Sequence, residues 1–180
     1  RSTSARPARS PTAILPAPGD LYANKVQAGA HYINGFGKSI GLMQIAEVGT
    51  LETPILITNT LNIGKVADGL LDYLIMDEGL QAPSINPVVL ECNDFFLNDI
   101  WGRHVGKAEV VQAIKTASIA PVEEGSVGAG LGTAAYGFKG GVGTASRKIA
   151  FDEQDYMVGA LVVTNMGRMH QLVIRGVRVG

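Results

Sequence analysis

Two kinds of segment predict an α/β fold built in layers around a covered sheet. The runs Pro54–Thr58 and Pro87–Leu90 are short, apolar and rich in β-branched residues, as strands buried on both faces are. Two amphipathic stretches, which begin near Asn62 and Lys107, repeat apolar residues at three- and four-residue spacing and predict helices. Buried strands interspersed with helices are typical of layered α/β proteins.

The first half of the chain contains the clearest of these elements. Thr12–Pro16 predicts a short strand that a proline-rich turn ends, and Val26–Asn34 predicts a second strand. Asn62 is the expected N-cap of the first helix, and Gly79 is its expected C-terminal stop. The apolar face of this helix is formed by Ile63, Val66, Ala67, Leu70, Leu71, Leu74 and Ile75.

The second half of the chain predicts one helix followed by strands. Val110, Val111, Ile114 and Ala117 mark the apolar face of that helix. The glycine-rich segment that follows has no helical periodicity, and we expect strands joined by a hairpin turn at Gly140–Gly141. Met157–Val163 predicts a core strand, and Gln171–Val179 predicts a further strand with a turn at Gly176.

The composition predicts one globular domain over residues 12–180. The chain has 180 residues, 46% of them hydrophobic, which is enough for a sizeable buried core. Its formal net charge is −1 and its Lys and Arg residues are scattered, so we expect no nucleic-acid partner. Residues 1–11 combine arginines with Ser, Pro and Ala without apolar periodicity, and we expect this segment to be disordered or trimmed.

The cellular location can also be addressed from the sequence. No apolar run reaches the roughly 18–20 residues that span a bilayer, and no secretory h-region follows the basic start, so we expect no membrane partner. Cys92 is the only cysteine, which excludes an internal disulfide and suits a reducing compartment. We therefore expect a cytoplasmic protein.

Several site chemistries fit the sequence poorly. Gly128–Gly132 is not placed between a strand and a helix, and it lacks the Gly-Lys-Ser/Thr sequence of a phosphate loop. Cys92 and His104 would suit a thiol hydrolase, but a lone cysteine at a strand end is more often a small buried residue. No metal or cofactor is expected, since no ligand spacing is matched by the acidic residues before this histidine, which are Glu91, Asp94 and Asp99.

Five blocks of the sequence carry a family resemblance. They are Ile33–Gly37; Thr53–Thr60 with Gly64; Glu91–Asp94 with Leu97–Asp99; a glycine-rich run that ends in Phe138–Arg147; and Val158–Gly167 followed by Gly176–Gly180. In order and spacing they resemble the self-processing DmpA-like peptidases, peptidase family P1, which include the DmpA aminopeptidases and the β-peptidyl aminopeptidases. The resemblance extends over nearly the whole chain after Pro11. It implies an α-β-β-α sandwich of the N-terminal-nucleophile type.

This resemblance also implies an activity and a partner. The chain is similar to the larger N-terminal (α) fragment of a serine aminopeptidase or amidohydrolase, which hydrolyses N-terminal residues from peptides, amides or esters. In the family a precursor cuts itself and exposes the nucleophilic serine as the first residue of a smaller β fragment. We therefore expect activity only in the assembled α–β pair, and a homo-oligomer of such pairs.

The resemblance assigns roles to three residues. Asn165 resembles the asparagine whose side-chain amide donates to the oxyanion of the tetrahedral intermediate. Glu91 resembles the carboxylate that receives the free amino group of the substrate, which restricts a peptidase to amino-terminal residues. Asn93 stands where well-known members have an aromatic residue that lines the amine pocket, so the preferred substrate side chain stays open.

Two alternatives remain open at this point. The chain also fits a fragment of an acyltransferase like ornithine acetyltransferase, whose second fragment begins with threonine. It could equally be a truncated paralogue that is catalytically inactive. The block Phe138–Arg147 favours the peptidase over the transferase.

Overall fold

The computed structural model describes residues 10–180 of the chain. The expectation for residues 1–11 falls almost entirely outside that range. The described residues form two compact units: the first contains those up to Cys92 together with Asp99–Ala117, and the second contains Asn93–Asn98 and Ser118–Gly180. The expectation of a single domain over residues 12–180, completed by a separate fragment, stays a prediction.

The first unit is organised around a three-stranded sheet. Strands β2 (Val26–Gln27) and β3 (Thr50–Leu51) form a separate antiparallel pair, which is not hydrogen-bonded to that sheet. The sheet has the order β1–β4–β5, where β1 is Thr12–Ile14, β4 is Ile55–Asn59 and β5 is Val88–Cys92. The central strand β4 is antiparallel to β1 and parallel to β5. The predicted strands around residues 12, 54 and 87 are therefore confirmed.

Three helices accompany this sheet, named α1 (Leu42–Val48), α2 (Ile63–Asp72) and α3 (Lys107–Thr116). Helices α2 and α3 contact each other and bury the main core, which includes Leu56, Ile63, Val66, Leu70, Val89, Val110 and Ile114. A second, smaller cluster contains Ile45, Leu51 and Val88. Because neighbouring strand residues alternate between the two clusters, both faces of the sheet are covered, as the apolar runs predicted.

The start of α2 agrees with its prediction in position but not in its hydrogen bonding. Asn62 is the N-cap residue, as predicted, but its side chain makes no capping hydrogen bond. Instead the side chain of Asn59 accepts a hydrogen bond from the Asn62 backbone N–H at 3.1 Å, and it caps a short 3₁₀ turn that leads into α2. The helical path continues beyond α2 as a π-helical turn over Tyr73–Asp77. Gly79 then adopts a left-handed conformation with φ of 72°, as expected of a helix stop.

The predicted strand Val26–Asn34 is wrong for most of its length. Only Val26 and Gln27 pair with another strand, and residues 31–38 form an exposed loop. Helix α1, which the sequence analysis did not predict, follows this loop. It is seven residues long, and the glycines at both of its ends have left-handed backbones.

The second unit consists mainly of three hairpins. The strand pairs are β6 (Ala134–Ala135) with β7 (Phe138–Lys139), β8 (Val142–Phe151) with β9 (Gln154–Val163), and β10 (Val173–Ile174) with β11 (Val177–Arg178). The predicted strand Met157–Val163 forms the end of β9, and the predicted turn at Gly176 joins β10 to β11. The strand and the turn are confirmed, but the prediction that Met157–Val163 lies in the core is wrong, because Met157, Val158 and Val162 are exposed in the described residues.

The expected hairpin turn at Gly140–Gly141 is wrong. The turns lie at Tyr136–Gly137 and Asp152–Glu153, where all four residues have positive φ. Gly140 and Gly141 instead pass close to other segments of the chain. A Cβ atom on Gly140 would lie 2.6 Å from the carbonyl oxygen of Thr164, and one on Gly141 would lie 2.5 Å from that of Gly125. These two glycines are therefore required by close backbone approach, not by a turn.

Among residues 10–180, no helix is both long enough and apolar enough to cross a bilayer.

Candidate functional site

Glu91 lies near the carboxyl end of β5, in the first unit. In the parallel register of β4 and β5 it stands opposite Thr58. The hydroxyl of Thr60 donates a hydrogen bond to Glu91 Oε2. The other carboxylate oxygen, Oε1, is 3.4 Å from the point where a Cβ atom on Gly37 would stand. The carboxyl ends of parallel strands are common positions for ligand-binding residues.

The carboxylate of Glu91 has no cationic partner within residues 10–180. The side chain is partly buried, and none of the described Lys, Arg or His residues forms an ion pair with it. A charge that is partly removed from water is costly unless it is paired. Glu91 is therefore chemically suited to receive an ammonium group from a ligand.

Glu52 shows what a structural carboxylate looks like in the same unit. Its Oε2 is 2.5 Å from Lys25 Nζ, and its Oε1 accepts two hydrogen bonds from Asn86. Burial alone would raise the pKa of Glu52, but the hydrogen bonds from Lys25 and Asn86 outweigh burial and lower this pKa. Both oxygens of Glu52 thus have partners within the protein, one of them a cation, whereas among the described residues Glu91 has a hydrogen bond to Oε2 alone and no cation.

Asn165 follows β9 in the second unit, on a segment that is held from two sides. Before it, the Thr164 backbone N–H donates to the Gly141 carbonyl, and the Gly141 N–H donates to Thr164 Oγ1, both at 3.0 Å. After it, the Tyr136 N–H donates to the Met166 carbonyl at 2.8 Å. The Asn165 side chain is exposed and bonds to no other residue that the structure describes. Its backbone is fixed while its amide donor remains available.

Lys139 adds a further restraint to this segment. Its Nζ donates hydrogen bonds to the carbonyl oxygens of Gly130 at 2.7 Å and Gly140 at 2.5 Å. Burial lowers the pKa of Lys139. The ammonium therefore links the backbone at Gly130 to the backbone at Gly140, which closely approaches Thr164. The block Phe138–Arg147, the most specific of the resemblance, thus supports the backbone that carries Asn165.

Asn93 belongs to the second unit and has a local structural contact. Its Oδ1 accepts a hydrogen bond from the Phe95 N–H at 3.1 Å, which forms a turn of the Asx type. The side chain is exposed. Glu91 lies in the other unit, so the structure describes these two candidate residues in separate bodies. Their roles in substrate binding stay predictions.

Other chemistries that the sequence left open can be compared with the structure. His104 Nε2 lies 3.0 Å from Asp99 Oδ2, so this histidine has an acidic partner. In the described part of the chain, no group of three or more His, Cys, Asp or Glu side chains could hold a metal ion.

A cleft of about 520 Å³ in the first unit is lined by Tyr22, Glu52, Tyr73 and Glu78, among others, and by none of the predicted site residues. The Tyr73 hydroxyl donates to Glu78 Oε1 at 2.5 Å, and burial followed by the Glu78 hydrogen bond raises the pKa of Tyr73 to about 12. The hydrogen bond between Tyr73 and Glu78 therefore joins two residues of the cleft wall.

Two residues near Glu91 were missed by the sequence analysis. Thr60 and Gly37 both lie in blocks that carry the family resemblance, but nothing in their spacing indicated contact with a carboxylate 31 residues away from Thr60. The signal that could have identified Thr60 is its position as a polar residue directly after a buried strand, because such residues meet others at the same edge of a sheet, whereas no sequence signal indicated Gly37.

The sequence pattern of Peptidase family S58 matches residues 9–180. The chain is 41% identical over 169 residues to the beta-peptidyl aminopeptidase BapA of Sphingosinicella microcystinivorans, an alignment that covers 94% of this chain and 42% of that protein. A crystal structure of a Pyrococcus horikoshii protein matches with a TM-score of 0.88 and 51% identity, over 94% of this chain and 49% of that one. The chain therefore spans less than half the length of these relatives.

A further solved structure connects the fold with a hydrolase class. The L-aminopeptidase D-Ala-esterase/amidase of Ochrobactrum anthropi matches with a TM-score of 0.81 and 39% identity, over 86% of this chain and 44% of that chain. That structure is described as a prototype for the serine aminopeptidases and as a variant among the Ntn hydrolase fold. These likenesses confirm the predicted fold class, which is α/β of the N-terminal-nucleophile type.

Proposed function

Because the chain belongs to peptidase family S58, the family of DmpA, we propose that it forms the α fragment of a self-processing serine aminopeptidase. In this proposal the nucleophilic serine is the first residue of a separate β fragment. The pair hydrolyses N-terminal residues from peptides, amides or esters. The relatives support this assignment, since the chain covers 42% of one aminopeptidase and 44% of another.

The observation that carries the proposed specificity is that the Glu91 carboxylate has no cationic partner among the residues that the structure describes. An aminopeptidase must distinguish a free amino terminus from an internal peptide bond, and the difference between them is one positive charge. A partly buried carboxylate that forms no ion pair with any Lys, Arg or His of residues 10–180 supplies an attraction for that charge. We propose that Glu91 binds the substrate ammonium, and on the family resemblance we also propose Asn93 as a substrate-binding residue.

Asn165 is proposed to stabilise the transition state. The terminal serine attacks the scissile carbonyl, and its own α-amino group accepts the hydroxyl proton and passes it to the departing amine or alcohol as the scissile bond breaks. Water then hydrolyses the acyl-enzyme and restores the free serine. The carbonyl oxygen gains negative charge during the attack. A side-chain amide on a fixed backbone can donate to that oxygen without reorganising, which makes such donors effective.

The exposed side chains of β8 and β9 support the proposed β fragment as a partner. Phe151, Met157 and Val158 have exposed fractions of 70%, 67% and 53%. Large apolar side chains exposed along one hairpin are typical of surfaces that another chain covers. The resemblance also supports an oligomer of such pairs. A cytoplasmic location is proposed on the separate ground that the sequence has a single cysteine.

Denaturing mass spectrometry of the full-length gene product tests this proposal. We expect two polypeptides, the second beginning with serine. A second polypeptide that begins with threonine would indicate an acyltransferase instead. A single uncleaved polypeptide in an untruncated preparation would contradict the proposed function and favour an inactive paralogue.

A further inference from the structure

We propose that Thr60 and Gly37 make the Glu91 carboxylate a one-oxygen acceptor for the substrate amine. Thr60 is the positioning residue, because it occupies one oxygen and fixes the carboxylate. Gly37 is the specificity-determining residue, because its missing side chain leaves the other oxygen accessible. This inference rests on the proposed role of Glu91 in amine binding.

A backbone segment with defined hydrogen bonds positions the Thr60 hydroxyl next to Glu91. Residue 60 begins the 3₁₀ turn directly after β4, and the side chain of Asn59 caps that turn through the Asn62 N–H. Strand β4 is itself in register with β5, with Thr58 opposite Glu91. Both ends of the Thr60–Glu91 hydrogen bond are therefore held by the same parallel strand pair.

This hydrogen bond restricts a flexible side chain. A glutamate has three rotatable side-chain bonds, and an unrestrained carboxylate would lose that freedom on binding a ligand. The Thr60 hydroxyl donates to Oε2 and removes this freedom before the substrate arrives. Oε2 has then given one of its acceptor positions to the protein, so Oε1 is the oxygen left for the ammonium.

Gly37 controls the space next to Oε1. A Cβ atom at this position would lie 3.4 Å from Oε1, which is ordinary van der Waals contact. An ammonium nitrogen must approach a carboxylate oxygen to about 2.8 Å, so a methyl group there would occupy part of the approach. The backbone of Gly37 does not have a positive φ, so alanine fits its conformation and the substitution tests space alone.

The same geometry predicts which step each residue affects. Both act on the binding of a charged amine and neither touches the carbonyl that reacts. Loss of either should therefore raise KM for substrates with a free amine and leave kcat nearly unchanged. Substrates without an amine should be insensitive to both, since they make no use of Glu91.

The test uses the assembled two-fragment enzyme and two matched substrates, a primary-amine anilide and the same anilide with the amino group replaced by hydrogen. We expect Thr60→Val to lower kcat/KM for the amine substrate about 10-fold, the usual effect of losing a hydrogen bond to a charged group, mainly through KM. Thr60→Ser should restore the value to within about 2-fold. Gly37→Ala should act like Thr60→Val.

Thr116→Val is the matched control, because it also removes a threonine hydroxyl bond, from Thr116 Oγ1 to the Gln112 carbonyl at 2.8 Å in α3. It should leave both substrates unaffected. Normal self-cleavage shows that each variant has folded. Equal loss of both substrates in Thr60→Val, or no change in the ratio between them, would overturn the inference.

Glu91→Gln separates this inference from the proposed function. If it removes the preference for the amine while Thr60→Val and Gly37→Ala do not, the inference fails and the proposed function stands. If Glu91→Gln leaves the preference intact, the amine site itself is wrong and both fail. The inference is supported when all three variants reduce the preference and the Thr116→Val control does not.

Discussion

Replacing Gly140 by alanine should impair catalysis by displacing Asn165, although the new methyl group contacts Thr164 and not Asn165 itself. The new Cβ atom would lie 2.6 Å from the Thr164 carbonyl oxygen and 2.8 Å from Thr133 Oγ1. The first distance is 0.8 Å short of the 3.4 Å at which ordinary contact begins, and its partner is backbone, which cannot rotate away. Thr164 must therefore shift, and Asn165 is the next residue.

The size of the effect follows from this overlap. Forcing an extra methyl group into a packed site costs about 1–3 kcal/mol of stability. A displacement of a catalytic donor by about 1 Å can lower turnover by on the order of 100-fold. We therefore expect Gly140→Ala to lower kcat of the assembled enzyme by about 10- to 100-fold. We also expect it to lower the free energy of unfolding by about 1–3 kcal/mol.

Gly143→Ala provides the control within the same block. No atom lies within 4 Å of a Cβ atom built on Gly143, which belongs to β8. Its stability should be unchanged or higher by about 0.4–1 kcal/mol, because alanine reduces the freedom of the unfolded chain. Steady-state kinetics gives kcat and thermal unfolding gives the stability of both variants. If Gly140→Ala behaves like Gly143→Ala, the close approach does not position Asn165.

Three further outcomes are expected. Asn165→Ala should lower kcat by about 10²- to 10³-fold and change KM little, because the amide acts on charge that develops after binding; a kcat like that of the parent enzyme would remove this residue from the mechanism. Asn93→Ala should alter the preference among substrate side chains in a kinetic panel while keeping the preference for a free amine, and an unchanged panel would exclude it from the site. The raised pKa of Tyr73 means that its neutral hydroxyl stabilises the fold fully below pH 10 and that this contribution is lost as the pH rises through about 12. Tyr73→Phe should therefore flatten the decline of stability between pH 10 and 12, measured by denaturant unfolding, and an identical decline in both proteins would contradict the assignment.

Much of the fold could be predicted from local sequence patterns. Strands β4 and β5 were recognised from continuous apolar runs, and helices α2 and α3 from the three- and four-residue spacing of their apolar residues, because both patterns report burial directly. Helix α1 was missed because it is only seven residues long, and its boundaries depend on glycine conformations that the sequence does not reveal. Two adjacent glycines suggested a hairpin turn, whereas the structure uses them for close packing and builds turns from Tyr136–Gly137 and Asp152–Glu153.

The site was less accessible to sequence reasoning than the fold. Glu91 and Asn165 were identified by family resemblance, since a single carboxylate or amide at a strand end has no pattern of its own. The contact between Thr60 and Glu91 joins residues 31 positions apart, and it exists only because β4 and β5 pair in one particular register. Register is a property of the folded sheet, so this contact could not be read from spacing.

The most direct test of the account is a crystal structure of the assembled enzyme with a serine-reactive phosphonate that carries a free primary amine. The account predicts phosphorus bonded to the first residue of the β fragment, a phosphonate oxygen about 3 Å from Asn165 Nδ2, and the amine about 2.8 Å from Glu91 Oε1. A phosphonate attached to a residue of this chain, or an amine bound away from Glu91, would contradict it.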